Sequence, residues 1–290
     1  MSTPVVVAVD GTRDGRRALH FGVDLAASYD APLRLVHVRE DNLVLTAGTP
    51  LFPESVLDEI GARVLHEALG DARRMGWHGD EPETVMARAP RVPAIVSHST
   101  DALCVVLGRR SSPLQHLVGS TTNGVAAHSS VPVVCVPASW DPEVRFHLVG
   151  VGIDCTEESA ALVEEAAVWA HQVQARVVVM HAWRPFAQYD AAISARTFEA
   201  RWEAETRPFV DKVVAPVRDR HPDVTIDVEL RVERPVVALH ELSMVSDLLV
   251  VGRHGHRARL TPRLGTTART VIRSSECPAL VMAASPRRPE

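Results

Sequence analysis

The stretch VVVAVDGT (residues 5–12) decides the fold because it occurs twice. The chain reads LVGVGIDCT at 148–156, and a shift of 144 residues carries Asp10 onto Asp154. The same shift carries His37 of RLVHV onto His181 of VVMHA, and Gly108 of VVLGRR onto Gly252 of LVVGRHG. Past these glycines the shift becomes 146, so that Gly119-Ser120 falls on Gly265-Thr266 and Val131-Pro132 on Cys277-Pro278. The chain is two copies of one unit, and the second copy is two residues longer between its paired glycines. Domains at 1–141 and 142–290 follow, joined by a short junction around Trp140, Asp141 and Pro142.

Each copy alternates apolar strand and amphipathic helix. Residues 4–10 form an unbroken apolar, β-branched run, the pattern of a strand buried on both faces. Ala18, Leu19, Gly22, Leu25 and Ala26 follow at helical spacing, then a second strand at 33–38 and a loop at 40–52. A long helix at 55–75 is expected to bury Val56, Ile60, Val64, Leu65 and Leu69. Strands at 84–87, 103–107 and 131–136, with helices near 92–98 and 120–128, complete the copy. The second copy predicts strands near 148–153, 176–181, 225–231, 248–251 and 279–282, with helices near 157–172, 194–221, 235–245 and 266–273. Such βαβ alternation implies a doubly wound α/β fold: a parallel sheet in each domain with helices on both faces.

Composition narrows the function. A length of 290 residues suits two domains of ~145 residues, each able to bury roughly two-thirds of its unfolded surface. Net charge is -5, and neither half is basic enough to attract nucleic acid by bulk electrostatics. No apolar run reaches the ~18–20 residues of a membrane span, and Met1-Ser2-Thr3 leads straight into a strand, so a cytoplasmic protein is expected. The cysteines Cys104, Cys135, Cys155 and Cys277 form no C-x-x-C pair, which argues against disulfide or metal roles.

The chemistry concentrates between Gly252 and Thr267. Here a strand ends, a loop follows, and a helix begins near Thr266. Gly252 and Gly255 allow backbone to approach a ligand. Gly265-Thr266 opens a helix whose free N–H groups and dipole favour an anion. Thr266 and Thr267 can cap that helix or give hydroxyl hydrogen bonds to phosphate oxygens. Arg253, His254, His256, Arg257, Arg259 and Arg263 add positive charge. Asp154 closes the first strand of the copy, and ligands of open α/β sheets collect at carboxyl strand ends, where chain order reverses. The segments outline a nucleotide site: sugar on Asp154, phosphates on the loop, base near His181, Ala182 and Trp183.

The pattern G-x-x-G-x9-G-[ST], met by Gly252, Gly255, Gly265 and Thr266, resembles the ATP-binding motif of universal stress proteins. The likeness spans both copies, from the strand-Asp opening to the final V-P-V-V or C-P-A-L strand. The tandem arrangement resembles the two-domain stress proteins of actinobacteria. The resemblance implies five-stranded parallel sheets of order 3-2-1-4-5 and members that commonly dimerise. It implies ATP, with or without Mg, or AMP, held by Asp154, the backbone of Ala182, Gly252, Gly255, Gly265, Thr266 and Thr267. The first copy departs from the pattern: Ser111 replaces the middle glycine, the loop is shorter, Pro113 stiffens it, and Arg109, Arg110 and His116 are its basic residues. Nucleotide binding there stays open; it would use Asp10, Val38, Gly108, Gly119, Ser120 and Thr121.

Several of these residues have structural readings too. Asp10 and Asp154 could cap the following helices, and His37 and His181 could be core or edge histidines. Cys155, beside the site in place of Gly11, could be a redox group or a small tolerated side chain. Trp169, Trp183 and Trp202 read as packing residues, and Trp183 could also border the base. His254-Gly255-His256 lacks the position and spacing of a nucleotidyltransferase H-x-G-H signature.

An ATPase or kinase needs a lysine on the phosphates, a metal-holding acid and a base. There is no G-x-x-x-x-G-K-[ST], and the single lysine, Lys212, falls in a helix. Binding without catalytic residues is expected: a nucleotide-responsive regulator in stress or growth arrest, working with a second protomer, the other domain or a partner protein. An interaction scaffold with vestigial sites and a slow ATP-hydrolysing enzyme are the alternatives.

Overall fold

The computed structural model describes residues 3–39, 52–88, 90–109, 121–154, 156, 159–184, 196–253 and 264–282. It comprises two compact units, Met1–Pro142 and Glu143–Glu290. The first contains β1 (Val5–Ala8), α1 (Arg13–Ser28), β2 (Leu33–Arg39), α2 (Glu54–Arg74), β3 (Glu83–Arg88), α3 (Arg91–Ser97), β4 (Cys104–Gly108), α4 (Thr121–His128) and β5 (Val133–Val136). The second contains β6 (Leu148–Gly152), α5 (Ser159–Gln172), β7 (Arg176–Ala182), α6 (Arg196–Arg220), β8 (Ile226–Arg231), α7 (Pro235–Ser243), β9 (Leu248–Gly252), α8 (Thr266–Ser274) and β10 (Ala279–Met282).

All strands within a unit pair in parallel, in the order β3-β2-β1-β4-β5 and its counterpart β8-β7-β6-β9-β10. The pairing register repeats with the sequence. Val5 lies opposite Leu33 and Cys104, as Val149 lies opposite Val177 and Leu248. Val105 opposite Val133 becomes Leu249 opposite Ala279, so the extra two residues fall between the fourth and fifth strands. The central strands are buried up to their last residue, with Val5, Val6, Val7, Val105 and Val106 fully enclosed. In the first unit α1 packs on β1 and β4 beside α2, while α3 and α4 pack together; α5 with α6 and α7 with α8 repeat this pairing in the second. Two helical layers therefore cover each sheet, as unbroken apolar strands demand.

Helix α1 begins at Thr12, whose hydroxyl accepts the Gly15 N–H at 3.1 Å. It ends at Asp30 in a left-handed conformation (φ 48), with Ala31 N–H returning to the Ala26 carbonyl. In the second unit Gln174 (φ 54) and the bond from Ala175 to Ala170 do the same. Neither position is a glycine, the usual residue for this cap. Helix α6 runs through Pro208 and Pro216. Both lie on its exposed face, where water can take the carbonyls that lose their helical N–H partners.

One expectation fails. Helix α2 buries Gly61, Leu65, Ala68, Asp71 and Ala72, while Ile60 is exposed. Its packed stripe runs through small residues that allow close approach, and the buried Asp71 is held by an ion pair with Arg16 at 2.9 Å.

Candidate functional site

Chain order reverses between β6 and β9 in the second unit, and between β1 and β4 in the first. These are the points where a crevice opens beyond the carboxyl ends of the strands. Asp154 follows β6, and Gly252 closes β9; the register sets Gly152 opposite Val251, so the two tips are neighbours. Asp154 is exposed there.

Its orientation is fixed. Oδ1 accepts hydrogen bonds from Thr156 N (3.3 Å), Thr156 Oγ1 (2.7 Å) and Ser159 Oγ (2.9 Å). In the first unit Asp10 Oδ1 accepts from Thr12 N (3.0 Å) and Thr12 Oγ1 (2.6 Å). Thr12 rather than Asp10 caps α1, so that aspartate braces the cap instead of being one. Ser159 stands where the first unit has Gly15, and a Cβ on Gly15 would lie 2.4 Å from Asp10 Oδ1. The contact to Asp154 at that position is therefore a hydroxyl hydrogen bond that Asp10 lacks. A carboxylate has about four lone-pair sites, so this brace is compatible with ribose hydroxyls as further donors.

The phosphate end is defined by where the loop leaves and returns. Gly265 N–H donates to the Arg253 carbonyl at 2.8 Å, and Arg253 N–H donates to Met282 at 2.7 Å. This places the start of α8 beside the tip of β9. Gly265 itself is the cap residue (φ -60, ψ 158), so Thr266 and Thr267 form the first turn and do not cap it. The first-turn N–H groups of such a helix have no intrahelical acceptor, and its dipole favours an anion. Burial lowers the Arg253 guanidinium from its ordinary value, a sign that its charge is poorly solvated at the loop's origin. Gly255 and His256 lie outside the described residues, as do His254 and Cys155.

In the first unit Gly108 closes β4, and a Cβ there would sit 2.4 Å from the Asp14 carbonyl oxygen. This glycine is demanded by the close approach of β4 to the first turn of α1. Arg109 N–H donates to Val136 at 2.8 Å, matching Arg253. Thr121 opens α4 and Val38 lies near the tip of β2. Gly119 and Ser120 lie outside the described residues.

The repeated histidines share one contact. His37 Nδ1 donates to the Val9 carbonyl (2.8 Å) and His181 Nδ1 to the Ile153 carbonyl (3.0 Å), tying the second strand of each unit to the tip of the first. Ala182 is buried at the end of β7. Trp169 is a packing residue, buried with its indole N–H on Glu165 at 3.0 Å. Cys104, Cys135 and Cys277 are buried thiols, and burial pushes Cys135 and Cys277 up to about 12, which removes them as nucleophiles. Sequence reasoning missed Thr12, Thr156 and Ser159 around the aspartates; the triplets Asp10-Gly-Thr12 and Asp154-Cys-Thr156 were the available signal. Among the described residues, no group of three or more His, Cys, Asp or Glu gathers to hold a metal ion, and no helix is long and apolar enough to cross a membrane.

The profile of the Universal stress protein family matches residues 1–137 and again 145–283. A universal stress protein of Mycobacterium tuberculosis (strain ATCC 25618 / H37Rv) is 30% identical over 199 residues, covering 66% of this chain and 62% of that relative, so the match spans less than two-thirds of its length. Another from the same strain is 25% identical over 291 residues, 96% of each chain. The crystal structure of a universal stress protein from Archaeoglobus fulgidus DSM 4304 aligns with a TM-score of 0.70 at 19% identity, over 98% of this chain and 97% of that one, a likeness of fold.

Proposed function

Because the chain belongs to the universal stress protein family, we propose that its second unit binds ATP and that the protein is a nucleotide-responsive regulator in the cytoplasm. The observation that carries this reading is the Gly265 to Arg253 hydrogen bond, which sets the anion-favouring start of α8 beside the tip of β9, next to Asp154. Asp154 would accept hydrogen bonds from ribose hydroxyls. The first-turn N–H groups of α8 and the hydroxyls of Thr266 and Thr267 would hold phosphate oxygens. Arg253, Gly252, Gly255 and His256 would line the loop, and the Ala182 backbone would meet the base. Among the described residues no cluster of His, Cys, Asp or Glu would hold a metal ion, so Mg would arrive on the phosphates.

Binding rather than turnover is the proposed activity. This reading is supported by the single lysine, Lys212, which lies within α6 rather than in the glycine loop. ATP would change a surface read by a partner protein, a second protomer or the other unit. Nucleotide at a hundredfold excess over its dissociation constant should stabilise the protein by roughly 2.7 kcal/mol. A thermal shift with ATP, and mass analysis of nucleotide released from purified protein, are the tests. Absence of both the shift and the released nucleotide would remove this function.

A further inference from the structure

The two units treat one pair of positions in opposite ways. In the first, Arg39 at the end of β2 is 3% exposed and ion-paired with α2 through Asp58 (2.6 Å) and Glu54 (3.8 Å). The 144-residue shift puts Trp183 in place of Arg39 and Trp202 in place of Asp58. There the bridge between strand and helix is aromatic. Trp202 of α6 lies nearly parallel to Trp183 (centroids 6.3 Å, 16°) and to His181 (5.9 Å, 20°). His181 and Trp183 are two residues apart and share a face of the sheet.

This stack is tied to the candidate site. His181 is bonded to the carbonyl of Ile153, the residue before Asp154. Gly152 lies opposite Met180, which sets Asp154 level with Ala182 and between His181 and Trp183 on the neighbouring strand. Trp183 is held by its N–H on the Arg231 carbonyl (3.0 Å), yet 41% of it remains exposed. A large aromatic surface, backed by Trp202, thus faces solvent at the tip of the strand that neighbours the one ending at Asp154.

We infer that Trp183, backed by Trp202, is a stacking platform for the base of the bound nucleotide. It favours purine over pyrimidine and confines base-dependent binding to the second unit. The inference rests on the nucleotide reading above. The larger ring system of a purine covers more of the indole, and loss of one base–aromatic stack weakens binding by about 5- to 100-fold. Among the described residues, the first unit places the paired Arg39 and Asp58 charges at the same position.

Equilibrium dialysis with ATP and with UTP, on the full chain and on Trp183→Leu and Trp183→Phe, tests it. Trp183→Leu should weaken ATP binding by about 5- to 100-fold and shrink the preference for ATP over UTP at least about fivefold. Trp183→Phe, which restores a ring, should recover most of both. Melting curves without nucleotide identify any variant that fails to fold, and Trp202→Leu then serves as the second probe, with the same expected loss. ATP binding at wild-type strength in the leucine variants overturns the platform and leaves the nucleotide reading standing. So does an equal loss for ATP and UTP. Wild-type protein that takes up neither nucleotide overturns both.

Discussion

The two units share a strand register residue for residue, yet they spend different side chains at the strand tips. One bridges β2 to α2 with a buried arginine and two carboxylates; the other bridges β7 to α6 with stacked rings. One leaves a glycine against its strand-tip aspartate, and the other places a serine hydroxyl on it. The backbone is thus specified by features both copies keep: buried central strands, a threonine two residues after the aspartate, and a histidine tied to the first strand's tip. What a unit binds is decided by a few residues that the sheet does not need. Ligand preference can therefore diverge between copies at little cost to folding.

The sharpest way to break the comparison is at Gly108. Gly108→Ala drives a methyl group into the Asp14 carbonyl, a backbone atom that cannot move aside. The expected cost is about 3 kcal/mol, read as a lower urea midpoint for unfolding of the first unit.

Asp154→Asn and Asp10→Asn compare the two tips directly. Asparagine keeps an oxygen for the Thr156 and Ser159 bonds, but it replaces the second carboxylate oxygen with a donor. Titration calorimetry should show ATP binding weakened by about 10- to 30-fold in Asp154→Asn, as a charged hydrogen bond is lost. Asp10→Asn should bind ATP as the wild type does; a matching loss there would place the main site in the first unit.

The helix ends offer a gain. Gln174→Gly relieves a long side chain from a left-handed backbone and should raise stability by about 1 kcal/mol. Asp30→Gly should gain less, because aspartate tolerates that conformation better. Equal gains in thermal melts would show that side-chain type does not govern this cap.

The smallest expected effect concerns an ion cluster particular to the second unit. Partial burial alone would raise the Glu164 carboxyl, but hydrogen bonds from Arg220 (2.6 Å) and His221 (2.7 Å) outweigh it and hold the group below its usual value. Its contribution is complete above the unfolded carboxyl value of roughly 4.3 and fades as pH falls through the lower folded value. Glu164→Gln should cost about 0.5 kcal/mol at pH 7 after solvent screening, and the difference from wild type should shrink as pH falls below the ordinary carboxylate range. A difference that persists in acid denaturation would assign the effect to packing.

Much of this was legible in the sequence, because alternating apolar runs and a chain-length repeat report directly on a buried parallel sheet. The strand-tip aspartates were legible for the same reason: they end those runs. The face of α2 was misread because counting large apolar residues favours Ile60, whereas close helix packing selects Gly61, Ala68 and Ala72. Thr12 was overlooked as the cap because the preceding aspartate is an equally good cap by type, and only geometry separates them. Arg39 with Asp58, and Trp183 with Trp202, lie 19 residues apart, a separation that no helical or strand period flags. The joint change of both members between copies was the clue that they touch.

The knot of backbone at Arg253 and Gly265 has a further consequence. With both ends of the intervening segment clamped to one another, its length can drift without displacing the helix that follows. Doubling such a segment costs only about 0.6 kcal/mol in closure entropy. Selection could therefore lengthen, shorten or recharge the stretch from 254 to 263 as an interchangeable cassette, while the amides of α8 keep the same aim.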